Sequence, residues 1–171
     1  INSFKNIKVL NKAVSDIDNQ KVKFNESEND WKSSLLVTES NKFNKKIVDT
    51  VTIDKILDTI NITNKLLILK IDVEGTDFNV LSGAKKTIEI NKPFIIIEFS
   101  KYIFKNDKFN YKYLSNFLKL NNYQIYSKKG DICSVDKILK LLEELDKVHD
   151  TIGNYYLISN DRNELVNKIF G

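Results

Sequence analysis

The order of apolar and polar residues along the chain predicts short strands separated by helices. Alternation over about four to eight residues indicates half-buried strands, and unbroken apolar runs indicate strands covered on both faces. The predicted strands cover 6–14, 20–26, 35–38, 46–52, 66–73, 94–99, 123–127 and 154–159. The run 66–73 is broken only by Lys70, and the run 94–99 opens after Pro93. The first of these two runs is typical of a central parallel strand.

Apolar residues spaced three and four positions apart predict the helices. The predicted helices cover 54–60, 76–90, 111–120, 136–148 and 162–170. Thr52 is a candidate cap for the first of them. Strands that alternate with helices, two of the strands being strongly apolar, predict an α/β domain with a mainly parallel sheet. The chain has no repeat and no linker rich in proline or glycine, so residues 1–171 are predicted to form one domain.

Charge and composition narrow the classes of function. The chain has 27 Lys and Arg residues and 23 Asp and Glu residues, which gives a net charge of +4. The basic residues do not form a dense run, so no nucleic-acid partner is expected. No apolar run approaches the roughly 20 residues that span a bilayer, so no membrane partner is expected. The single cysteine, Cys133, excludes an internal disulfide and makes the cytoplasm the default expectation. The chain lacks methionine, so we expect Ile1 to belong to a processed or partial product.

Candidate chemistry concentrates where the first strongly apolar strand ends. Side chains alternate along a strand, so Lys70, Asp72 and Glu74 are predicted to share one face. They lie at the carboxyl end of that strand, the edge where open α/β sheets bind ligands. Glu98 has the same place on the next apolar strand, so three carboxylates are predicted to converge. Because buried charges are costly unless they are paired or used, a functional cluster is favoured over a lysine–carboxylate pair with a helix cap at Glu74.

The segment around these carboxylates resembles the core of the FkbM-like methyltransferases. The resemblance is carried by the sequence LKIDVEG within 67–98, followed by a helix and an apolar strand that ends in glutamate. It continues upstream through 6–16 and 51–57. It implies a class I, Rossmann-like fold, S-adenosylmethionine as the cofactor, and methyl transfer to a hydroxyl of a sugar, a glycan or another small-molecule acceptor.

The resemblance also implies roles for single residues. The matching cofactor-binding positions are Val14, Ser15, Asp16 and Asp72. At the first three, the family's loop lies beside the adenine ring; an ordinary turn capped by an aspartate is the alternative. At the fourth, a carboxylate would hold the cofactor's ammonium or orient the acceptor. The candidate catalytic residues are Asp72, Glu74 and Glu98, because a neutral hydroxyl is a poor nucleophile and needs a base. The sequence does not rank these three carboxylates.

The glycines depart from the family's pattern. The five glycines are Gly75, Gly83, Gly130, Gly153 and Gly171, and no two are separated by a single residue. A glycine loop of the G-x-G type is therefore absent from this sequence. The family opens with a strand and a glycine-containing loop, followed by a second strand with an acidic residue. We therefore expect a sheet missing its first two strands, and weak or no cofactor binding by this chain alone.

Two other classes of function stay open. A non-catalytic binding or assembly module would pair an exposed sheet edge with another chain or form a homodimer. A domain that binds a nucleotide-sugar or a glycan would use aromatic side chains, and these could also line an acceptor pocket. The candidate aromatics are Trp31, Tyr102, Tyr111, Tyr113, Tyr155 and Tyr156.

Metal binding is not favoured by the sequence. No Cys or His pair has metal-ligand spacing, and a magnesium site at the three carboxylates is the weaker interpretation, so no metal is expected. Cys133 is predicted to be an apolar filler, and His149 to be a structural residue at a helix C-terminus.

Overall fold

The computed structural model describes residues 5–27, 43–60, 66–101, 110–146 and 151–171. Two sheets organise this part of the chain. The first contains the strands β1 (Ala13–Val14), β2 (Lys21–Ser27) and β3 (Phe43–Val51), in the order β1-β3-β2. The second contains the strands β4 (Ile68–Ile71), β5 (Phe94–Ser100), β6 (Tyr123–Tyr126), β7 (Ile132–Cys133) and β8 (Thr151–Ser159), in the order β4-β5-β8-β6-β7.

Six α-helices occur among the described residues. They are α1 (Ile53–Leu57), α2 (Asp77–Ser82), α3 (Lys85–Asn91), α4 (Tyr111–Asn121), α5 (Val135–Glu143) and α6 (Asn163–Phe170). The predicted cap of α1 is confirmed, because the Thr52 hydroxyl accepts a hydrogen bond from the backbone N–H of Lys55 at 3.0 Å. No helix in the described ranges is long and apolar enough to cross a membrane.

The described residues combine helices with strands, in agreement with the predicted α/β class, but the sheets are mixed and a mainly parallel arrangement is not confirmed. The parallel pairings are β1 with β3 and β4 with β5. The antiparallel pairings are β2 with β3, β5 with β8, β6 with β8, and β6 with β7. The pattern of apolar residues reports which faces of a strand are buried, and it carries no information on strand direction. The helices between the strands suggested parallel crossovers, whereas β8 enters between β5 and β6 in the opposite direction.

Several predicted elements are shorter in the structure or divided. The strand predicted over 6–14 is reduced to Ala13–Val14, and the one over 66–73 to Ile68–Ile71. The latter strand, β4, pairs only with β5 among the described strands, so it lies at an edge and not at the centre. The helix predicted over 136–148 ends at Glu143. The strand predicted over 35–38 lies outside the described residues.

The helix predicted over 76–90 is divided into α2 and α3 at Gly83 and Ala84. A Cβ atom on Gly83 would overlap the backbone carbonyl oxygen of Ser15, so only glycine lets the loop after β1 approach this helix end. The break therefore has a tertiary cause that the local pattern does not contain.

The second sheet is covered on both faces. Alternate residues of β5 point to opposite sides: Ile95, Ile97 and Phe99 enter a core with α2, α3, α4 and α5. Phe94 and Ile96 face the other side, where Leu165 of α6 covers them. This side-chain alternation explains why β5 reads as a continuous apolar run. Glu98, the one charged residue of the strand, lies near its carboxyl end.

Hydrogen bonds tie the first sheet to the helices of the second. The backbone N–H of Asp54 in α1 donates to the carbonyl of Gly83 at 3.0 Å. The Asp54 carboxylate accepts from the backbone N–H and the hydroxyl of Thr87, at 2.8 and 2.7 Å. It also accepts from the N–H of Lys86 at 3.0 Å, so it serves as a cap for α3. These bonds hold α1, which follows β3, against the end of α2 and the start of α3.

Candidate functional site

Three carboxylates meet at the edge of the second sheet where β4 and β5 end. One oxygen from each of Asp72, Glu74 and Glu98 lies within 4.8 Å of the others. Asp72 and Glu74 follow β4, and Glu98 belongs to β5. Lys70 Nζ contacts Asp72 Oδ2 at 2.7 Å. The structure thus brings together the three residues that the sequence proposed as catalytic; we call them the carboxylate rim.

The carboxylate rim faces solvent. Asp72 and Glu74 are exposed and Glu98 is half-buried. The side chains of Lys70 and Asp72 are 43% and 47% exposed. The expectation that these charges are buried was wrong for Asp72 and Glu74. An exposed ion pair contributes only about 0–1 kcal/mol to stability, and the rim remains accessible to a cationic group of a ligand.

A sharp turn carries Glu74 to the rim. Glu74 has φ of +53° and Gly75 has φ of +105°, so two consecutive residues adopt the left-handed region. This conformation is unfavourable for glutamate and easy for glycine. The alternation of strand side chains ends at this turn. Glu74 therefore reaches Asp72 through turn geometry and not through the strand periodicity that the sequence argument used.

The buried carboxylate of this region belongs to Asp77, which the sequence analysis did not select. Asp77 is 2% exposed, and its Oδ2 accepts a hydrogen bond from the N–H of Gly75 at 3.1 Å. Burial raises the pKa of Asp77 to about 6, opposed by the backbone amides of Gly75, Asp77 and Val73. Within the described ranges, Asp77 Oδ1 and the neighbouring Thr76 hydroxyl are buried without hydrogen-bond partners. Such atoms are rare and call for an explanation.

The available signal for Asp77 was an acid at the start of a predicted helix. An acid in the first turn usually complements the helix dipole at the surface. Its burial follows from the turn at Glu74 and Gly75, which folds the chain over the side chain. The local sequence does not show that turn.

The loop proposed for the adenine side lies against α2. Val14 ends β1, and the carbonyl of the buried Ser15 packs on Gly83. The carboxylate of Asp16 accepts hydrogen bonds from the Ser15 hydroxyl and from the Asn79 side-chain amide, both at 3.1 Å. Since α2 begins directly after the turn at Gly75, this one helix contacts the loop and follows the carboxylate rim.

Tyr113 on α4 lies near the same loop. Burial raises the pKa of its hydroxyl to about 12; a hydrogen bond with Ser82 opposes this shift and the charge of Asp16 adds to it. Tyr113 therefore stays protonated in the physiological range and can act as a hydrogen-bond donor. This places one of the predicted acceptor-pocket aromatics beside the loop.

A small apolar groove separates β1 from β4. Its volume is about 210 Å³, and we call it the interstrand groove. Its lining consists of Val14, Ile53, Ile68, Leu69, Lys70, Ile71, Val73 and Val80. Ligand pockets usually measure about 300–1,000 Å³, so the groove suits an apolar group smaller than a whole cofactor. It joins Val14 to the strand that carries the site, whereas Ser15, Asp16 and Asp72 are not part of its lining.

The remaining candidates divide between the core and the surface. Tyr155 packs on Phe99 with ring centroids 5.4 Å apart, and Tyr156 stacks on Phe94 at 5.6 Å. These two tyrosines lie on opposite faces of β8 and cannot line one pocket together. Cys133 is unpaired and buried in the core, where an apolar filler belongs. Tyr111 is partly buried on α4 and hydrogen-bonded to Asp136 at 3.2 Å.

Trp31, Tyr102 and His149 lie outside the described residues.

Comparison with protein-family models identifies the class to which the fold and site belong. The model of the Methyltransferase FkbM domain matches residues 5–133. The chain therefore belongs to the FkbM methyltransferase family. The match includes the loop after β1, the carboxylate rim and Asp77. No curated protein and no solved structure gave a significant match to the chain.

Proposed function

We propose that the protein is a cytoplasmic, S-adenosylmethionine-dependent O-methyltransferase that acts on a hydroxyl of a sugar, a glycan or another small molecule. The observation that carries the proposal is the meeting of Asp72, Glu74 and Glu98 at the turn after β4, in a chain of the FkbM methyltransferase family. S-adenosylmethionine supplies the methyl group. The chain supplies hydrogen-bond acceptors, negative charge and a base.

The carboxylate rim fits the ammonium end of S-adenosylmethionine. Three carboxylates face one lysine, so the local charge is negative, and charge-assisted hydrogen bonds to a cation are among the stronger contacts that a protein makes. The interstrand groove has a mostly apolar lining and is smaller than the usual ligand pocket, so it fits an apolar group. We therefore assign the ammonium to Asp72 and Glu74. Val14, Ser15 and Asp16 would lie on the adenine side without enclosing it.

We assign the base to Glu98. A hydroxyl must lose its proton as it attacks, and a carboxylate within hydrogen-bond reach can accept that proton. Glu98 belongs to β5, whereas Asp72 and Glu74 follow β4, and Glu98 is half-buried. Asp72 is already engaged by Lys70. The acceptor hydroxyl would thus bind above β5, and the cofactor's ammonium above the end of β4.

The first experiment is calorimetric titration of S-adenosylhomocysteine into the full-length gene product and into the 171-residue chain. We expect the gene product to bind, and Asp72→Asn and Glu74→Gln each to weaken binding by about tenfold, the range of a lost charge-assisted bond. Glu98→Gln is expected to retain the affinity, since the base contacts the acceptor. The control, Glu143→Gln, removes an exposed carboxylate at the end of α5.

Two results would contradict the assignment. If the Asp72, Glu74 and Glu143 variants bind S-adenosylhomocysteine with equal affinity, the carboxylate rim does not bind the ammonium. No binding by either protein would favour a non-catalytic module. Weak binding by the 171-residue chain together with tight binding by the gene product agrees with the small volume of the interstrand groove.

The free edge of β4 favours a second candidate function, assembly into a homodimer. Among the described strands, β4 pairs only with β5, and Ile68 is 54% exposed on it. We propose that this edge pairs with its copy in a second chain. Sedimentation analysis should show a dimer that Ile68→Lys dissociates, while Ile90→Lys on the exposed face of α3 leaves it intact. A monomer at all concentrations would contradict this candidate.

A further inference from the structure

We propose that Asp77 is a positioning residue whose buried carboxylate holds the turn at Glu74 and Gly75 and thereby fixes the carboxylate rim. The inference rests on the proposed function, because the rim is there the site for the methyl donor's ammonium. Asp77 itself contacts no ligand in this proposal, since its side chain is 2% exposed.

The contact that carries the inference closes the turn. The N–H of Gly75 donates to Asp77 Oδ2 at 3.1 Å, so a side chain two residues further on ties the middle of the turn to the start of α2. Glu74 and Gly75 both have positive φ, and glutamate enters that region only at an energetic cost. A fixed acceptor for the Gly75 amide stabilises this conformation. Without it, Glu74 can relax towards an ordinary φ and leave the rim.

Burial makes this contact hard to replace. Water does not reach the Asp77 carboxylate, so the Gly75 amide would find no solvent partner in its place. One oxygen of Asp77 and the hydroxyl of Thr76 lack hydrogen-bond partners in the described part of the chain. A buried carboxylate with incomplete partners is unfavourable for stability. Features that lower stability in this way are concentrated at functional sites, where they hold groups in the geometry that function requires.

If Asp77 had a purely structural role, a different effect of its substitution would be expected. A first-turn acid that only complements a helix dipole would alter stability without any dependence on Glu74. A positioning residue acts through Glu74, so its effect on ligand affinity must disappear when the Glu74 carboxylate is absent. A double-mutant cycle separates the two roles.

The first measurement is amide hydrogen exchange at Gly75 by NMR, in the ligand-free protein. We expect Asp77→Asn to accelerate exchange at Gly75 by about tenfold, because a hydrogen bond to a charged group is weakened. The control is Glu164→Gln, an exposed first-turn acid of α6, which should leave Gly75 unchanged. Asp77→Ser serves if the asparagine variant does not fold. Unchanged exchange at Gly75 overturns the proposal.

The second measurement is the affinity for S-adenosylhomocysteine in the full-length gene product. We expect Asp77→Asn to raise Kd by about tenfold, and by less than about twofold when Glu74→Gln is already present. Additive effects of the two changes would overturn the positioning role. If the unmodified protein does not bind, the proposed function fails and the link to the rim with it. The Gly75 exchange still decides whether Asp77 holds the turn.

Discussion

Asp77 and two residues of the carboxylate rim, Asp72 and Glu74, lie within a short stretch of chain but differ in their exposure to water. The rim residues Asp72 and Glu74 are solvated and can meet a ligand without a large desolvation penalty. Asp77 is enclosed, and its environment raises its pKa. The same segment therefore supplies two accessible carboxylates, those of Asp72 and Glu74. It also supplies the buried carboxylate of Asp77, which affects backbone geometry and stability.

The raised pKa of Asp77 predicts a pH dependence of stability. The folded pKa of about 6 exceeds the ordinary pKa of 3.8 for an aspartate, so the folded state binds the proton more tightly. Asp77 therefore favours folding below about pH 3.8, and this contribution is lost as pH rises towards 6. Between pH 4.5 and 7.5 the loss amounts to about 2 kcal/mol, from roughly 1.4 kcal/mol per pKa unit.

Urea unfolding of the native protein and of Asp77→Asn, at pH 4.5 and 7.5, tests this expectation. The free energy of unfolding of the asparagine variant, relative to the native protein, should increase by about 2 kcal/mol between the two pH values. Other titrating groups are common to both proteins and cancel in the comparison. Parallel pH profiles for the two proteins would show that Asp77 titrates normally.

At the scale of elements, the contact between the loop after β1 and α2 positions the proposed adenine side. Gly83 leaves room for the carbonyl of Ser15, and Asn79 holds the carboxylate of Asp16. A methyl group at Gly83 would force these two backbones apart. We expect Gly83→Ala to lower the free energy of unfolding by about 1–3 kcal/mol, the range for overpacking.

Urea denaturation measures that change, and Lys85→Ala, at an exposed position of α3, is the matched control. Gly83 has φ of −79°, so alanine is not strained by its backbone, and the expected loss comes from the contact with Ser15 alone. A Gly83→Ala protein as stable as the control would show that the loop and helix yield without loss.

The elements that local periodicity specifies were predicted well, and those set by tertiary contacts were not. The strand over 94–99 and the helix over 111–120 match β5 and α4 to within one residue, because both have strong apolar patterns. The break at Gly83 depends on a residue 68 positions earlier, Ser15. The direction of β8 could not be predicted, because the alternation of apolar residues is the same for parallel and antiparallel strands. The two-residue strand β7 is too short for any pattern.

The candidate site divides in the same way. Asp72 and Glu98 could be placed together because strand ends meet at one edge of a sheet, and they do lie together there. Glu74 was assigned to the correct place, but strand alternation was the wrong reason. The left-handed turn at Glu74 and Gly75 brings this residue to the rim. Asp77 was missed because its burial depends on a fold of the chain. Which carboxylate is the base stays a prediction, as does the single domain.

At the scale of the whole molecule, the hydrophobic cores belong to the second sheet. Both buried clusters among the described residues are built from β4, β5, β6, β7, β8 and the helices packed on them. Strands β2 and β3 contribute no buried member to either cluster. Val51 is the buried apolar residue of β3, and Ile47 is 71% exposed on the same strand. The first sheet is therefore held mainly by its backbone ladder, by the packing of Val14 and the neighbouring Ile53 against the core, and by hydrogen bonds to α2 and α3.

This distribution predicts two levels of local stability. We expect amides of β2 and β3 to exchange through a partial opening of lower free energy than the one that exposes β5 and β8. The expected separation is at least about tenfold in exchange rate, measured by mass spectrometry or NMR. A single common opening free energy for both sheets would show that the hydrogen bonds of Asp54 suffice to make unfolding cooperative.

The edge of β4, which pairs with no further strand in the described part of the chain, also bears on colloidal behaviour. An unpaired strand edge is a template on which further chains can stack, and natural proteins limit this with short edge strands and lysine side chains. β4 has four residues, and Lys70 is exposed among them. Besides contacting Asp72, Lys70 thus fits the pattern by which natural proteins limit edge-to-edge aggregation. Variants that neutralise Lys70 should accordingly be compared at low protein concentration, where self-association does not imitate a loss of activity.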